Sequence, residues 1–289
     1  MIVDGHAYAY RAFYAIRSLS SPEGKPTNAI YGFIKMLGKM RATVNPSHLV
    51  VVWDGGLSEQ RRITLPAYKA QRPEMPEELS GQLDEILRYL DAAKIASYRE
   101  DGVEADDYIS FLAGAAVKSG MEVVIASADK DFMQLVAPSV GLLNPNDKSE
   151  TIWYAEQVRN KTGVEPEQIV DWLSLLGDSV DNIPGVPGVG VKTAADLLSQ
   201  FRSVDEIFSR LEDVKSERVR TSLRLAEADV RRNQSLVRLQ PEVGAGFSAK
   251  ELEIRNPDSM KMLELFSKWG FRRMADEVEK SKSEQQNLI

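Results

Sequence analysis

Three short runs along the chain are apolar at nearly every position and close on an aspartate. Ile2-Val3 leads into Asp4, His48 to Trp53 leads into Asp54, and Glu122 to Ala128 leads into Asp129. Runs this short, without polar alternation, predict strands buried on both faces. Between them apolar positions recur at helical spacing: Tyr8 to Ile16, Asn28 to Met40 (Ile30, Phe33, Ile34 and Leu37 on one face), and Leu79 to Leu90. Asp106 opens a further helix with Ile109, Leu112 and Ala113 aligned, and Gly120 closes it. Strands alternating with helices predict an α/β protein with a parallel, doubly wound sheet.

Ser20 to Pro26 reads as a loop and Pro145-Asn146-Asp147 as a turn, after which helical patterns take over. Glu167 to Leu176 is amphipathic and stops at Gly177, and another helix runs to Phe201. From Ser203 onward the chain is charged and helical, and residues 281–289 are expected to form a frayed tail.

Ligands of parallel sheets gather beyond the carboxyl ends of the strands, which is where Asp4, Asp54 and Asp129 fall. Val103-Glu104-Ala105-Asp106-Asp107 adds three acids at a helix start. The helix dipole rewards negative charge in the first turn by only ~0.3–1 kcal/mol, and one acid collects most of that. Further acids close by repel one another unless a cation sits among them. Asp131, Asp178 and Asp181 extend the series, so chance turn chemistry is the poorer account.

Composition narrows the choice of cation. The 289 residues include no cysteine and only His6 and His48, which leaves neither a thiolate site nor a histidine-built zinc site. A bound metal is therefore expected to be a hard cation held by oxygens. Hydrophobic content of 43% and charged content of 27% are those of a soluble globular protein. Asp4 follows directly on Met1-Ile2-Val3, where a signal peptide would need a basic region and an apolar run, and no run approaches membrane-spanning length. A cytoplasmic location with no membrane partner is expected. The net charge of −7 speaks against a nucleic-acid partner at face value. With nine acids engaged by metal, however, 36 basic residues face 34 others.

Two stretches suit phosphates. Arg61 to Arg72 holds Arg61, Arg62, Lys69 and Arg72 and no acid. It reads either as a solvated loop or, with Tyr68 beside Lys69, as a surface that stacks a base while cations meet phosphates. In Asn182-Ile183-Pro184-Gly185-Val186-Pro187-Gly188-Val189-Gly190-Val191-Lys192-Thr193, the glycines permit tight turns and close approach of another backbone. Lys192 and Thr193 stand at a helix start, whose free N–H groups suit a phosphate. This is not a Walker A loop, because Val191 separates Gly190 from Lys192, and no third glycine completes a dinucleotide fingerprint. A purely structural helix–turn–helix is the alternative.

These motifs together resemble the bacterial 5′–3′ exonuclease region found at the amino end of DNA polymerase I, within the wider 5′-nuclease and flap endonuclease family. The resemblance is carried by Ile2-Val3-Asp4-Gly5, Tyr10-Arg11-Ala12-Phe13, Tyr68-Lys69-Ala70-Gln71-Arg72-Pro73, Val103 to Asp107, Asp129-Lys130-Asp131, Gly177 to Gly190, and Phe266 to Arg272. It implies an α/β, parallel-sheet, PIN-like core over 1–160 with a helical arch at about 59–90. A helical DNA-binding part over 161–280 would follow, carrying a helix–three-turn–helix at about 167–201. Asp4, Asp54, Glu104, Asp106, Asp107, Asp129, Asp131, Asp178 and Asp181 would be the carboxylate cluster for two or more Mg2+ or Mn2+ ions. Lys69 and Arg72 would act on the scissile phosphate. Arg11, Arg61, Tyr68, Gly185, Gly188, Gly190, Lys192 and Thr193 would contact DNA, and the family often carries K+ at the glycine-rich segment.

The implied activity is metal-dependent, structure-specific cleavage near DNA 5′ ends, at flaps, nicks or RNA–DNA hybrids, by a monomer acting beside a DNA polymerase. The chain is expected to be a free-standing relative or a fragment cut before the polymerase region. Gln60, where relatives carry an aromatic residue, and Val191, where they usually carry Glu, depart from the pattern. A PIN-type single-strand RNase would not need the glycine-rich segment, and a non-catalytic duplex-binding scaffold would tolerate losses among the acids. His6, two residues after Asp4, counts against a haloacid-type phosphatase.

Overall fold

The computed structural model describes residues 1–147, 149, 151–243 and 246–286. Its first elements in chain order are β1 (Ile2–Asp4), α1 (Gly5–Ala15), α2 (Asn28–Val44), β2 (Val50–Trp53), α3 (Glu59–Thr64), α4 (Glu77–Ala92), β3 (Ala96–Arg99) and α5 (Ala105–Lys118). Then follow β4 (Val123–Ala126), β5 (Val140–Leu143), β6 (Ile152–Trp153), α6 (Ala155–Thr162), α7 (Ile169–Leu176), α8 (Val191–Phe201) and α9 (Val204–Ser209). The last are α10 (Glu217–Val237), α11 (Ala249–Leu252), α12 (Ser259–Trp269) and α13 (Arg272–Gln286).

The chain forms two compact units, each assembled from separate stretches. The first comprises Met1–Asp54, Glu74–Glu100 and Gly246–Ile289, the second Gly55–Pro73 and Asp101–Ala245. In the first, β1 pairs in parallel with β2 and β2 in parallel with β3. Val3, Val51 and Val52 are fully buried, as continuous apolar runs require. Helix α1 starts directly on Gly5, where any Cβ would meet the Trp53 indole at 2.7 Å, so only glycine lets the ring close over the strand end. Gln82 of α4 accepts from the Ala29 and Ile30 N–H groups at 2.8 and 3.3 Å, capping α2 from a distant part of the chain.

In the second unit β4 pairs in parallel with β5, and the short β6 runs antiparallel to β5. Helix α5 packs on this side through buried Ile109, Leu112 and Ala113, the face read from its spacing. Strand pairing is thus mostly parallel, as expected, with β6 the exception. Three strands lay outside the sequence reading. β3 is the half-buried Ala96-Ser97-Tyr98-Arg99, β5 is only four residues with Gly141 inside it, and β6 is two residues long.

Two expectations are corrected. The segment expected as one helical arch is a six-residue α3, a run of tight turns over 66–72, and then α4, which belongs to the other unit. Pro66 and Pro73 bracket the turns and keep helix from propagating through them. The expected frayed tail continues as helix α13 to Gln286, while 287–289 lie outside the described residues.

Candidate active site

In the second unit the acids meet the protein's own cations. Arg61, only 3% exposed, sends its guanidinium to Glu104 and, in a two-pronged contact at 2.7 and 2.8 Å, to Asp107. Its remaining donors reach the Leu236 and Arg238 carbonyls at 2.9 and 3.1 Å. Arg61 was expected to meet DNA. Instead it is an internal counter-ion that fastens the start of α5 to the end of α10, and its five donors suit that task. Asp107 also accepts the Gln240 N–H at 2.9 Å.

Glu104, 1% exposed, additionally accepts from Lys69 Nζ at 2.5 Å and from the Tyr68 hydroxyl at 3.3 Å. Burial alone would push the Glu104 carboxyl up, but Lys69 and Arg61 outweigh it and hold it below the usual range. Lys69 lies 3.9 Å from Asp181, and Arg72 Nη2 lies 2.6 Å from the same carboxylate. The turn is fixed by its backbone too, since Lys69 N–H donates to the Asp181 carbonyl at 3.1 Å and Asn182 Nδ2 to the Ala67 carbonyl at 2.9 Å. Lys69 takes φ +53, a region that L-residues seldom occupy. Tyr68 is 4% exposed, so its ring is not available to stack a base in this state.

Asp129, Asp131, Asp178 and Asp181 form the other half of the cluster. Asp129 caps a short 3-10 turn by accepting the Asp131 N–H at 2.9 Å. Burial raises the Asp129 carboxyl, the Asp131 N–H partly offsets this, and the charges of Asp181 and Asp178 raise it further. Asp131 is lifted well above the ordinary range by burial and by Asp129. Asp178 is buried enough to be pushed up, yet the Lys130 ammonium at 2.9 Å holds it down. Asp106 opens α5 half-buried beside these groups and adds its charge to the surroundings of Lys69 and Arg72.

In the first unit Asp4 is 7% exposed and caps α1, accepting the Ala7 N–H at 3.0 Å. Asp54 directly follows β2, and its N–H donates to His6 Nδ1 at 3.0 Å. Burial holds the His6 ring's pKa below its ordinary value, in keeping with an accepting nitrogen. Arg11 is exposed on α1.

Among the described residues, no three His, Cys, Asp or Glu side chains are arranged as a ready metal site. The donor chemistry nevertheless fits a hard divalent cation. The donors are carboxylate oxygens, and Asp129 and Asp131 carry mutual repulsion that a cation among them would relieve.

The glycine-rich segment is built by close backbone approach. A Cβ on Gly185 would overlap the Leu176 carbonyl, and one on Gly177, at φ +68, would overlap Gly185 N. Val186 N–H donates to the Leu175 carbonyl at 2.9 Å, and Asp178 and Ile183 exchange two backbone hydrogen bonds at 2.8 Å. Asn233 of α10, fully buried, donates to the Ser174 and Pro184 carbonyls at 3.1 and 2.7 Å and so ties α7 to this turn. The sequence reading passed over it, although a polar Asn in a helix interior is a usable signal. Gly190 precedes α8 without a side-chain cap, and no acid lies in the first turn, where exposed Lys192 and half-buried Thr193 stand.

Comparison with known proteins accounts for both parts of the chain. Residues 1–163 match the model of the 5′–3′ exonuclease N-terminal resolvase-like domain, and residues 164–260 that of the 5′–3′ exonuclease C-terminal SAM fold. A 5′–3′ exonuclease of Aquifex aeolicus is 37% identical over 96% of this chain and 94% of its own length. DNA polymerase I of Bacillus caldotenax is 35% identical over 100% of this chain, which spans 33% of that protein. Among solved structures, zinc-bound T5 5′-exonuclease is similar with a TM-score of 0.68 at 25% identity, covering 83% of this chain and 89% of that one. The catalytic core of Rad2 in complex with DNA shares the fold, with a TM-score of 0.65 at 16% identity, covering 96% and 90%. Two adjoining family models, together with a relative matched almost end to end, place this chain in the 5′–3′ exonuclease family.

Proposed function

We propose that this protein is a structure-specific 5′–3′ exonuclease and flap endonuclease that hydrolyses phosphodiester bonds near DNA 5′ ends, acting beside a DNA polymerase. Its working division is a nuclease core over 1–160 and a DNA-binding part over 161–280. The observation that carries this reading is the crowding of carboxylates at half-buried Asp129 and Asp131, beside Asp178 and Asp181, which raises both. That arrangement makes sense as a seat for Mg2+ or Mn2+ and is hard to justify by stability.

Asp129, Asp131, Asp178 and Asp181 would hold the ions, with Glu104, Asp106 and Asp107 ordering the surroundings; the resemblance adds Asp4 and Asp54. When bound, such ions supply an activated water and a neutralised leaving oxygen. The chain's own residues then position and select. Arg61 holds Glu104 and Asp107 in place. Lys69 and Arg72, released from Glu104 and Asp181, would turn to the non-bridging oxygens of the scissile phosphate, where placed positive charge is most effective. The turns of 185–193 would grip duplex through backbone N–H groups and Lys192, with K+ a further candidate occupant. Contacts of that kind read shape and not sequence.

A labelled 5′ flap, a nicked duplex with a DNA or RNA 5′ end, and a single strand, each incubated with Mg2+, Mn2+ or EDTA, test the reading. Cleavage of the flap and the nick, lost in EDTA, is expected. Cleavage of single-stranded RNA alone would replace this reading with that of a PIN-type RNase.

A further inference from the structure

Helix α10 is rich in arginine, and most of that charge is already committed. Arg220 pairs with Glu212 and Glu217, Arg224 with Glu212, Arg231 with Asp205 and Glu227, and Arg232 with Asp229. Arg218 differs. It is exposed near the start of the helix, and among the described residues no carboxylate pairs with it. Its neighbour Glu217 is held by Arg220 and by the Thr221 hydroxyl, so the Arg218 charge is not cancelled locally.

The Arg218 guanidinium lies on the glycine-rich turn. A Cβ built on Gly188, which takes φ +79, would sit 3.2 Å from Arg218 Nη2 and 3.5 Å from Cζ. A side chain at 188 would therefore press on the guanidinium, and glycine leaves room for it. The segment 182–193 contributes Lys192 and no acid, and the first N–H groups of α8 have no side-chain cap. An uncommitted guanidinium thus lies against Gly188, in a segment that carries Lys192 and no acid and leads into an uncapped helix start.

We propose that Arg218 is a DNA-contacting residue, taking a backbone phosphate of the duplex held by the 185–193 turn and carrying the contact from that turn onto α10. This rests on the reading of the turn as a duplex grip. The planar fork of arginine suits two phosphate oxygens at once. Of the five arginines of α10, Arg218 is the one that no carboxylate among the described residues holds. The contact is blind to sequence and adds to affinity through counterion release.

The test uses the full chain in Ca2+ and a nicked duplex, with binding measured by fluorescence anisotropy across a KCl series. Arg218→Ala is expected to weaken binding equally on unrelated sequences and to lower the slope of log Kd against log salt by about one. Arg218→Lys should retain the slope, Lys192→Ala should lose about one unit, and Arg224→Ala should leave it unchanged. Thermal midpoints of all variants guard against misfolding, because a loss of stability would not reduce the slope while sparing the midpoint. A slope unchanged in Arg218→Ala, with Lys192→Ala reduced, overturns the proposal and leaves the duplex grip standing. A wild-type chain with no salt-dependent duplex affinity overturns both.

Discussion

Lys130 Nζ lies 2.9 Å from the Asp178 carboxylate, although Lys130 stands in sequence between Asp129 and Asp131. The lysine therefore pairs with the acid from the neighbouring loop, while its charge also reaches its own flanking aspartates without offsetting what raises them. Lys130→Met should increase the affinity for Mn2+ by roughly three- to tenfold, a few kilojoules of local potential at the effective dielectric of such sites. Electron paramagnetic resonance titration of free Mn2+ reads this directly. Weaker Mn2+ binding in the variant would show that Lys130 organises the carboxylates more than it competes with a metal.

Asp129→Asn and Asp178→Asn should each lower flap cleavage by at least about a hundredfold while leaving duplex affinity in Ca2+ within about twofold of wild type. Asp129→Asn should not lower the thermal midpoint in EDTA, since it removes repulsion from a crowded, half-buried site. Wild-type turnover by the double variant would sink the assignment of these acids.

Arg61→Met leaves Glu104 and Asp107 buried without their shared cation. Breaking a buried pair in this way costs about 3–5 kcal/mol, and here one guanidinium serves two carboxylates and two carbonyls. Urea unfolding should show a midpoint shifted down accordingly. A shift no larger than that of an exposed arginine such as Arg224 would contradict the bracing role.

Glu85 gives a pH dependence of defined sign. It accepts from Lys268 at 2.9 Å and from the Trp269 indole N–H at 2.8 Å, tying α4 to α12. Burial acts to raise its carboxyl, but the hydrogen bonds from Lys268 and Trp269 prevail and hold it below its ordinary value of 4.5. An acid whose pKa is lower in the folded state stabilises fully above the unfolded value, and that contribution is lost as pH falls through the folded one. Glu85→Gln should cost about 1 kcal/mol at neutral pH, given solvent screening of the partly exposed Lys268. The difference from wild type should vanish as pH drops below the ordinary glutamate range. Chemical denaturation at neutral and acidic pH measures it, and a difference that grows on acidification would refute the sign.

Much of the architecture was legible because hydrophobic period is a local property. β1, β2 and β4 were readable as apolar runs ending in Asp4, Asp54 and Asp129, and α2, α4 and α5 from their stripes. Gly185 was legible as a place of close approach, since no other residue leaves room for the facing carbonyl, and Gly177 as the stop of its helix. β3 and β5 were not, because four residues that are half polar or interrupted by glycine carry no period of their own and are strands only beside a partner.

By itself the sequence determined the chemistry on offer: oxygen donors without thiols, acids at strand ends, and a glycine segment free of acidic side chains. Tertiary structure decided which cation answers which acid. It took Arg61 out of the expected DNA surface and set it on Glu104, 43 positions away, and on the Leu236 carbonyl, 175 positions away. It also seated Lys69 on Glu104 and Lys130 on Asp178. The reason is physical: apolar burial depends on spacing along one element, whereas ion pairing depends on distances between elements that only the folded chain brings within reach.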